Sequence, residues 1–315
     1  MSGVDRSGGQ LLEIGLGTEL ERANAEGRAS RPPRRRIHLS PGARTSLIVS
    51  YLILIAIALI YIYPFLLSIA GSFKTDDDAS QNPLSLLPQT WSFAAYERLF
   101  TTVPLLQWAG NSAFITIIVT TCRVFFDSLA GYALSRLKFR GRSAIFATLI
   151  AIMAVPNVVL LIPRFLILKE LGLYNSYAGM IIPIIIDAAG IFIMKQFFES
   201  IPVSVEEAAR IDGAGVFRTF WTIVLPMARP ALITLFILSF QGSWNEFGHF
   251  LISRQDANLD TLTVGVASLT SGQLGSGNQY PLKLAAAVLM SIPVAVLFFI
   301  FQKRIMSTSE GGEKG

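Results

Sequence analysis

Charge is scarce in this chain and cysteine nearly absent. Only 15% of the 315 residues are charged while 52% are hydrophobic, and the mean hydropathy of +0.54 is far above that of an ordinary soluble domain. The deficit excludes a globular protein with a solvated surface and leaves an all-α, polytopic membrane protein. The one cysteine, Cys122, lies in an apolar stretch, so no intrachain disulfide can form. Two histidines, His38 and His249, are far apart, and no His/Cys/Asp/Glu cluster has metal-ligand spacing, which excludes a metal site and leaves no catalytic constellation. There is no Gly-x-x-x-x-Gly-Lys-Ser/Thr stretch, so this chain does not bind ATP by a P-loop. No internal repeat is evident. The net charge of +5 does not point to nucleic acid, because the basic residues gather at the ends of apolar runs, as topology determinants do.

What the chain has in abundance is long apolar runs. Residues 1–45, rich in Gly, Ser and Arg and ending in Arg34-Arg35-Arg36, predict a disordered basic cytoplasmic tail that orients the first span and could also touch anionic lipid. Spans are expected at about 46–73, 107–134, 143–163, 177–198, 231–252 and 284–301. The first run lacks a small-residue cleavage site and is too long for a signal-peptide core. Pro156 and Asn157 predict a break in the third span, and Pro183 and Asp187 interrupt the fourth. Thr75 to about Pro104, with Asp76-Asp77-Asp78 and the aromatic Trp91 to Tyr96, reads as an external loop. So does 253–281. Arg136, Lys138, Arg140 and Arg142 place the second turn inside, and the alternation puts both termini in the cytoplasm. The transmembrane unit covers 46–306 and is followed by a cytoplasmic tail, 307–315.

Between spans four and five, residues 200–226 carry polar groups in a helical pattern. Ser204 to Glu207 has the spacing of a capping box, and Gly213 can take the left-handed conformation that ends a helix. A second short helix follows, with Val216, Phe217, Phe220, Ile223 and Val224 at helical spacing, and Pro226 is expected to stop it. Glu207-Ala208-Ala209, then Gly213, then Ile223 and Leu225-Pro226 resemble the EAA motif of ABC importer permeases, and every motif position is matched.

That resemblance implies a cytoplasmic coupling loop seated in a cleft of an ATPase subunit, with Glu207 pairing with a basic residue there and Asp212 at the same turn. Local capping by Glu207 is the simpler alternative. Gln241-Gly242-Ser243-Trp244-Asn245-Glu246-Phe247, Asn111-Ser112, Gly131 to Leu137 and the terminal Gly311 to Gly315 are similar to stretches of the maltose-type, carbohydrate-uptake branch. The resemblance covers about 46–315. It implies the type I importer permease architecture, a second permease subunit, an ATPase dimer that carries ATP and Mg, an external solute-binding protein and a sugar substrate. This chain would bind no cofactor itself. It also implies that Gly265 to Gln279 probes the binding protein's sugar site and that the tail reaches between the ATPase subunits, although Glu310 and Glu313 depart from the family's form.

Polar residues within the spans are the candidates for a pathway or gate, because an unpaired charge in lipid costs at least about 2.5 kcal/mol. Arg123 and Asp127, four apart, could pair on one helix face. Asp187 and Glu246, without local partners, could bond sugar hydroxyls or the partner permease. Trp244 could stack on a sugar or pack in a helix interface, and Asn157 and Asn245 complete the set. His249 is expected at an interface near the outer end of span five. Two other functions stay open: an ABC permease for a non-sugar solute such as a glycerophosphodiester or polyuronate, with Arg123 as its cation, and an ion-coupled secondary carrier using Asp187, Glu246 or the Arg123 and Asp127 pair.

Overall fold

The computed structural model describes residues 41–270 and 279–310. The basic tail before Pro41, most of the Gly- and Ser-rich stretch after Thr270 and the last five residues lie outside the described residues. Among those described, every regular element is helical.

The chain divides into two units, one up to Tyr61 and one from Ile62 onward. The first is the beginning of the Pro41–Ser72 helix, which starts five residues before the expected boundary and exposes Ile48, Leu52, Leu54, Leu59 and Ile60, an apolar surface suited to hydrocarbon.

In the second unit, the Leu105–Arg136 helix is the central rod. It packs on Ala188–Ser200 and Arg229–Trp244, and three cores form around it. By length and composition, Ser46–Ser72, Leu105–Arg136, Tyr177–Ser200 and Tyr280–Gln302 can each cross a membrane. Two bent pairs raise the number to six: Arg142–Met153 with Asn157–Glu170, bent by 99°, and Val216–Met227 with Arg229–Trp244, bent by 80°.

The breaks fall where the backbone loses its donor or its freedom. Pro156 stands extended at φ −60°, ψ 129°, between Met153 and the turn that opens at Asn157, and its missing N–H cannot continue the helix that precedes it. The fourth span is helical over Tyr177–Ile181, tightens into a 3-10 turn over Ile182–Ile184 and resumes at Ala188.

Span five differs from its expected form. Its helix ends at Trp244, and a separate short helix, Gly248–Ser253, follows after Asn245, Glu246 and Phe247. Sixteen residues rise only about 24 Å, short of the roughly 30 Å hydrocarbon layer, so the residues after Trp244, with the Gly248–Ser253 helix, are needed to complete a crossing.

Two expected loops are packed structure. Thr75 caps a short Asp76–Gln81 helix, Asp78 is buried and accepts the N–H of Gln89, and Ala94–Thr101 buries Ala95 and Leu99 in a core with Trp108 and Trp244. Trp91 and Phe93 do stay exposed. The described part of 253–281 contains the Leu262–Thr270 helix, which buries Leu262, Val264 and Leu269. Gly265, read as loop, is helical, and a Cβ there would fall within 2.2 Å of the Trp108 ring. Polarity averaged over these stretches hid single apolar residues that face the rod.

Candidate functional site

The segment matching the EAA motif folds as an elbow of two helices. The first, Val203–Ile211, starts directly after Pro202, whose fixed φ of −57° suits the position before a helix. No side chain caps it, so the expected box of Ser204 and Glu207 is absent: the helix begins too early, and Ser204 lies within the first turn. Its end follows the Schellman pattern. Gly213 has φ +80°, its N–H donates to Arg210 O at 3.0 Å, and Ala214 N–H donates to Ala209 O at 2.9 Å.

The second helix runs from Val216 through a π turn, Phe220–Val224, to Met227. Pro226 therefore does not stop it. The wider π turn just upstream leaves room for the ring that would clash with a carbonyl of an ordinary helix, and the chain bends only at Ala228.

The elbow has a dry underside and an open tip. Ala209, Phe220 and Val224 are buried, and Phe220 packs against Tyr132 and Phe198 of the two long helices beneath. Glu207, Ala208, Arg210, Asp212 and Gly213 are exposed, as are Ile211 at 87% and Phe217 at 76%, while Ile223, Leu225 and Pro226 are half-buried. The tip thus exposes two large apolar side chains and the Glu207 carboxylate together.

The residue that fixes the elbow is one the sequence reading passed over. Glu206, the neighbour of Glu207, is only 2% exposed. Its Oε1 lies 2.9 Å from Arg136 Nε, an ion pair off the hydrogen-bond direction, and Tyr132 Oη donates to its Oε2 at 3.2 Å. Arg136 also donates through Nη2 to the carbonyls of Phe198 and Ile201, at the end of the Ala188–Ser200 helix. Tyr132 and Arg136 both belong to the Gly131 to Leu137 stretch, so the sequence signal was present, but the contact across 70 residues was not visible.

Most of the intramembrane candidates lie at helix breaks or on the helix that faces one. Arg123 and Asp127 do not pair with each other. Arg123 Nε donates to Ile184 O at 2.7 Å, and the fully buried Asp127 accepts the N–H of Asp187 through Oδ1 at 3.1 Å. Asp187 in turn caps the Ala188–Ser200 helix by accepting the N–H of Gly190 at 3.1 Å.

At another break, Glu246 accepts the N–H of His249 at 2.8 Å, and its own carbonyl accepts from Thr263 Oγ1 at 2.7 Å. Asn245 is exposed at the end of its helix. Trp244 is an interface residue: it stacks on Phe240 and donates through Nε1 to Met290 O at 3.0 Å. Asn157 is exposed at the third-span break. His249, expected at an interface, is fully buried, with Nε2 3.1 Å from Met180 O and Nδ1 3.2 Å from Ser253 Oγ. Among the described residues no group of three or more His, Cys, Asp or Glu could hold a metal ion.

Asn111 and Ser112 also hold structure together. Asn111 donates to the carbonyls of Asn258 and Asp260, both at 2.8 Å, and Ser112 Oγ accepts the N–H of Leu262 at 2.8 Å. Beside them Asp260 meets Arg254 at 2.7 Å; burial raises its carboxyl above the ordinary value, and Arg254 pulls it back.

Comparison with known proteins agrees with this architecture. The arabinooligosaccharides transport system permease protein AraQ of Halalkalibacterium halodurans is 33% identical over 279 residues, 86% of this chain and 99% of that protein. The polygalacturonan/rhamnogalacturonan transport system permease protein YtcP of Bacillus subtilis is 33% identical over 265 residues, covering 80% and 92%. A chain in the crystal structure of a bacterial ABC transporter involved in the import of the acidic polysaccharide alginate superposes with a TM-score of 0.73 at 28% identity, covering 84% of this chain and 98% of that one. Residues 127–307 match the model of the binding-protein-dependent transport system inner membrane component, and the chain belongs to that family.

Proposed function

We propose that this multi-pass membrane protein is one permease subunit of an ATP-driven importer that takes a sugar or oligosaccharide from an external binding protein into the cytoplasm by alternating access. The observation that carries the proposal is the elbow, 203–227, open at its tip and locked at its base. Its tip offers Glu207, Ile211 and Phe217 to a partner, while Glu206, Tyr132 and Arg136 tie its base to the central rod. A loop serving only as a connection has no need of either feature.

The partners are a second permease subunit, a pair of ATPase subunits and the binding protein. ATP and Mg sit on the ATPase subunits, and this chain holds no cofactor. Closure of the ATPase pair displaces the elbow. Because Glu206 and Arg136 are nearly dry, the displacement passes to the Leu105–Arg136 and Ala188–Ser200 helices as a rigid-body motion. Both termini and the elbow face the cytoplasm, as the basic turn at Arg136 to Arg142 favours. The named substrates of the relatives support a saccharide cargo, some of it acidic, and the binding protein sets most of the choice.

The test is reconstitution with the neighbouring subunits in proteoliposomes. ATP hydrolysis that rises with sugar-loaded binding protein, together with ATP-dependent uptake, is the expected result. Uptake by this chain alone, driven by a proton gradient, would establish a secondary carrier instead. Titrating the binding protein with a glycan panel then identifies the cargo.

A further inference from the structure

The fourth span is discontinuous, and among the backbone groups its gap leaves without helical partners are the N–H of Asp187 and the carbonyl of Ile184. In an unbroken helix the N–H of Asp187 would reach Pro183 O, and Ile184 O would accept from Ala188. Here Ile182–Ile184 ends in a 3-10 turn, Asp187 is extended at φ −129°, ψ 126°, and the next helix begins at Ala188. A bare N–H or C=O at this depth costs as much as a lost hydrogen bond or more.

The central rod supplies partners for these two groups from one face. Arg123 donates to the Ile184 carbonyl at 2.7 Å, and Asp127, one turn further on, accepts the Asp187 N–H at 3.1 Å. The cation meets the orphan acceptor and the carboxylate meets the orphan donor. Among the described residues no ion pair joins the two to each other.

The fit is close. Asp127 is fully buried, and a Cβ at Gly190 would lie 2.2 Å from its Oδ2, so the missing side chain of Gly190 is what admits the carboxyl. At its other end, the helix begun at this break is held to the same rod by Arg136, which donates to Phe198 and Ile201.

We propose that Arg123 and Asp127 form a two-ended clamp that stiffens the break of the fourth span, so that motion entering at the elbow crosses the gap to the Tyr177–Ile184 segment instead of being absorbed by it. Both are positioning residues, and neither touches the transported solute. The inference rests on the proposed function and deepens it: it assigns the joint between the elbow and the membrane path.

The test uses the whole reconstituted importer and reads the moles of sugar imported per ATP hydrolysed, with the amount of assembled complex measured for each variant. Arg123→Lys and Asp127→Asn each preserve the needed donor or acceptor and should stay within about twofold of the unaltered complex. Arg123→Met and Asp127→Leu remove it and should lower the ratio well below that of the conservative variants, while ATP hydrolysis continues. The double exchange Arg123→Asp with Asp127→Arg should not restore it, because each charge then faces a backbone group of the wrong kind.

Restoration by the exchange would show an ordinary ion pair and overturn the clamp. So would Arg123→Met or Asp127→Leu changing hydrolysis and uptake in equal proportion, or changing neither. If Asp127→Leu does not accumulate, the half-buried Arg123→Met decides alone. Failure of the underlying function looks different, since the unaltered complex would then show no ATP-dependent uptake at all.

Discussion

Glu206 and Arg136 meet at 2.9 Å with side chains 3% and 9% exposed, and theirs is the one ion pair between the elbow and the central rod among the described residues. A pair this dry gains little net stability from being formed, but losing one member strands the other. The pair therefore acts as a lock whose failure is costly.

Glu206→Ala is expected to destabilise the protein by about 3–5 kcal/mol, since Arg136 would remain buried and unpaired. Glu206→Gln, which can still accept from Tyr132, should cost less. Thermal unfolding in detergent and the amount recovered from membranes measure both. Equal melting of Glu206→Ala and the unaltered protein would contradict the lock.

The next residue should behave in the opposite way. Glu207 is exposed and has no part in the underside, so Glu207→Ala should shift stability by no more than about 0.5 kcal/mol. Its effect should fall on function: hydrolysis by the assembled complex persists while uptake drops. Normal uptake would remove Glu207 from the docking surface.

How far the sequence led depends on the range of the interaction that decides each feature. The long apolar runs, the breaks at Pro156 and Asp187 and the positive φ of Gly213 are local properties, written in neighbouring residues, and they were legible. The lock of Glu206 on Arg136, the burial of His249 against Met180 and the fate of Arg123 and Asp127 depend on partners 60 or more residues away. At that range spacing along one helix misleads. Arg123 and Asp127 share a face, as their separation of four requires, yet both are spent on the backbone of another span. Ser204 failed as a cap for a local reason, because Pro202 starts the helix before the serine can serve.

Gly213 offers a prediction about the turn of the elbow. Nothing lies within 4 Å of a Cβ there, so a side chain meets no steric obstacle, but φ of +80° is costly for a residue other than glycine. Gly213→Val should cost about 1–2 kcal/mol locally and reorient Glu207 relative to Phe217, lowering uptake without preventing assembly. Gly213→Asn should retain more uptake, because asparagine tolerates the left-handed region. Equal uptake by the two variants would separate the effect from backbone conformation.

Gly265 tests whether Leu262–Thr270 is packed against the rod or free to probe outward. A Cβ would sit 2.2 Å from the Trp108 ring, and Trp108 is itself only 5% exposed in a core with Leu99, Trp244 and Leu282. Gly265→Leu must therefore displace the indole or lift the helix, an overpacking that costs about 1–3 kcal/mol. Lower thermal stability is expected, and in the double variant with Trp108→Ala, where the ring no longer fills the space, Gly265→Leu should cost markedly less than it does alone. The coupling between the two substitutions is the measurement. Strict additivity would mean that the two residues do not touch, and that the segment after Asp260 is the loop its composition suggests.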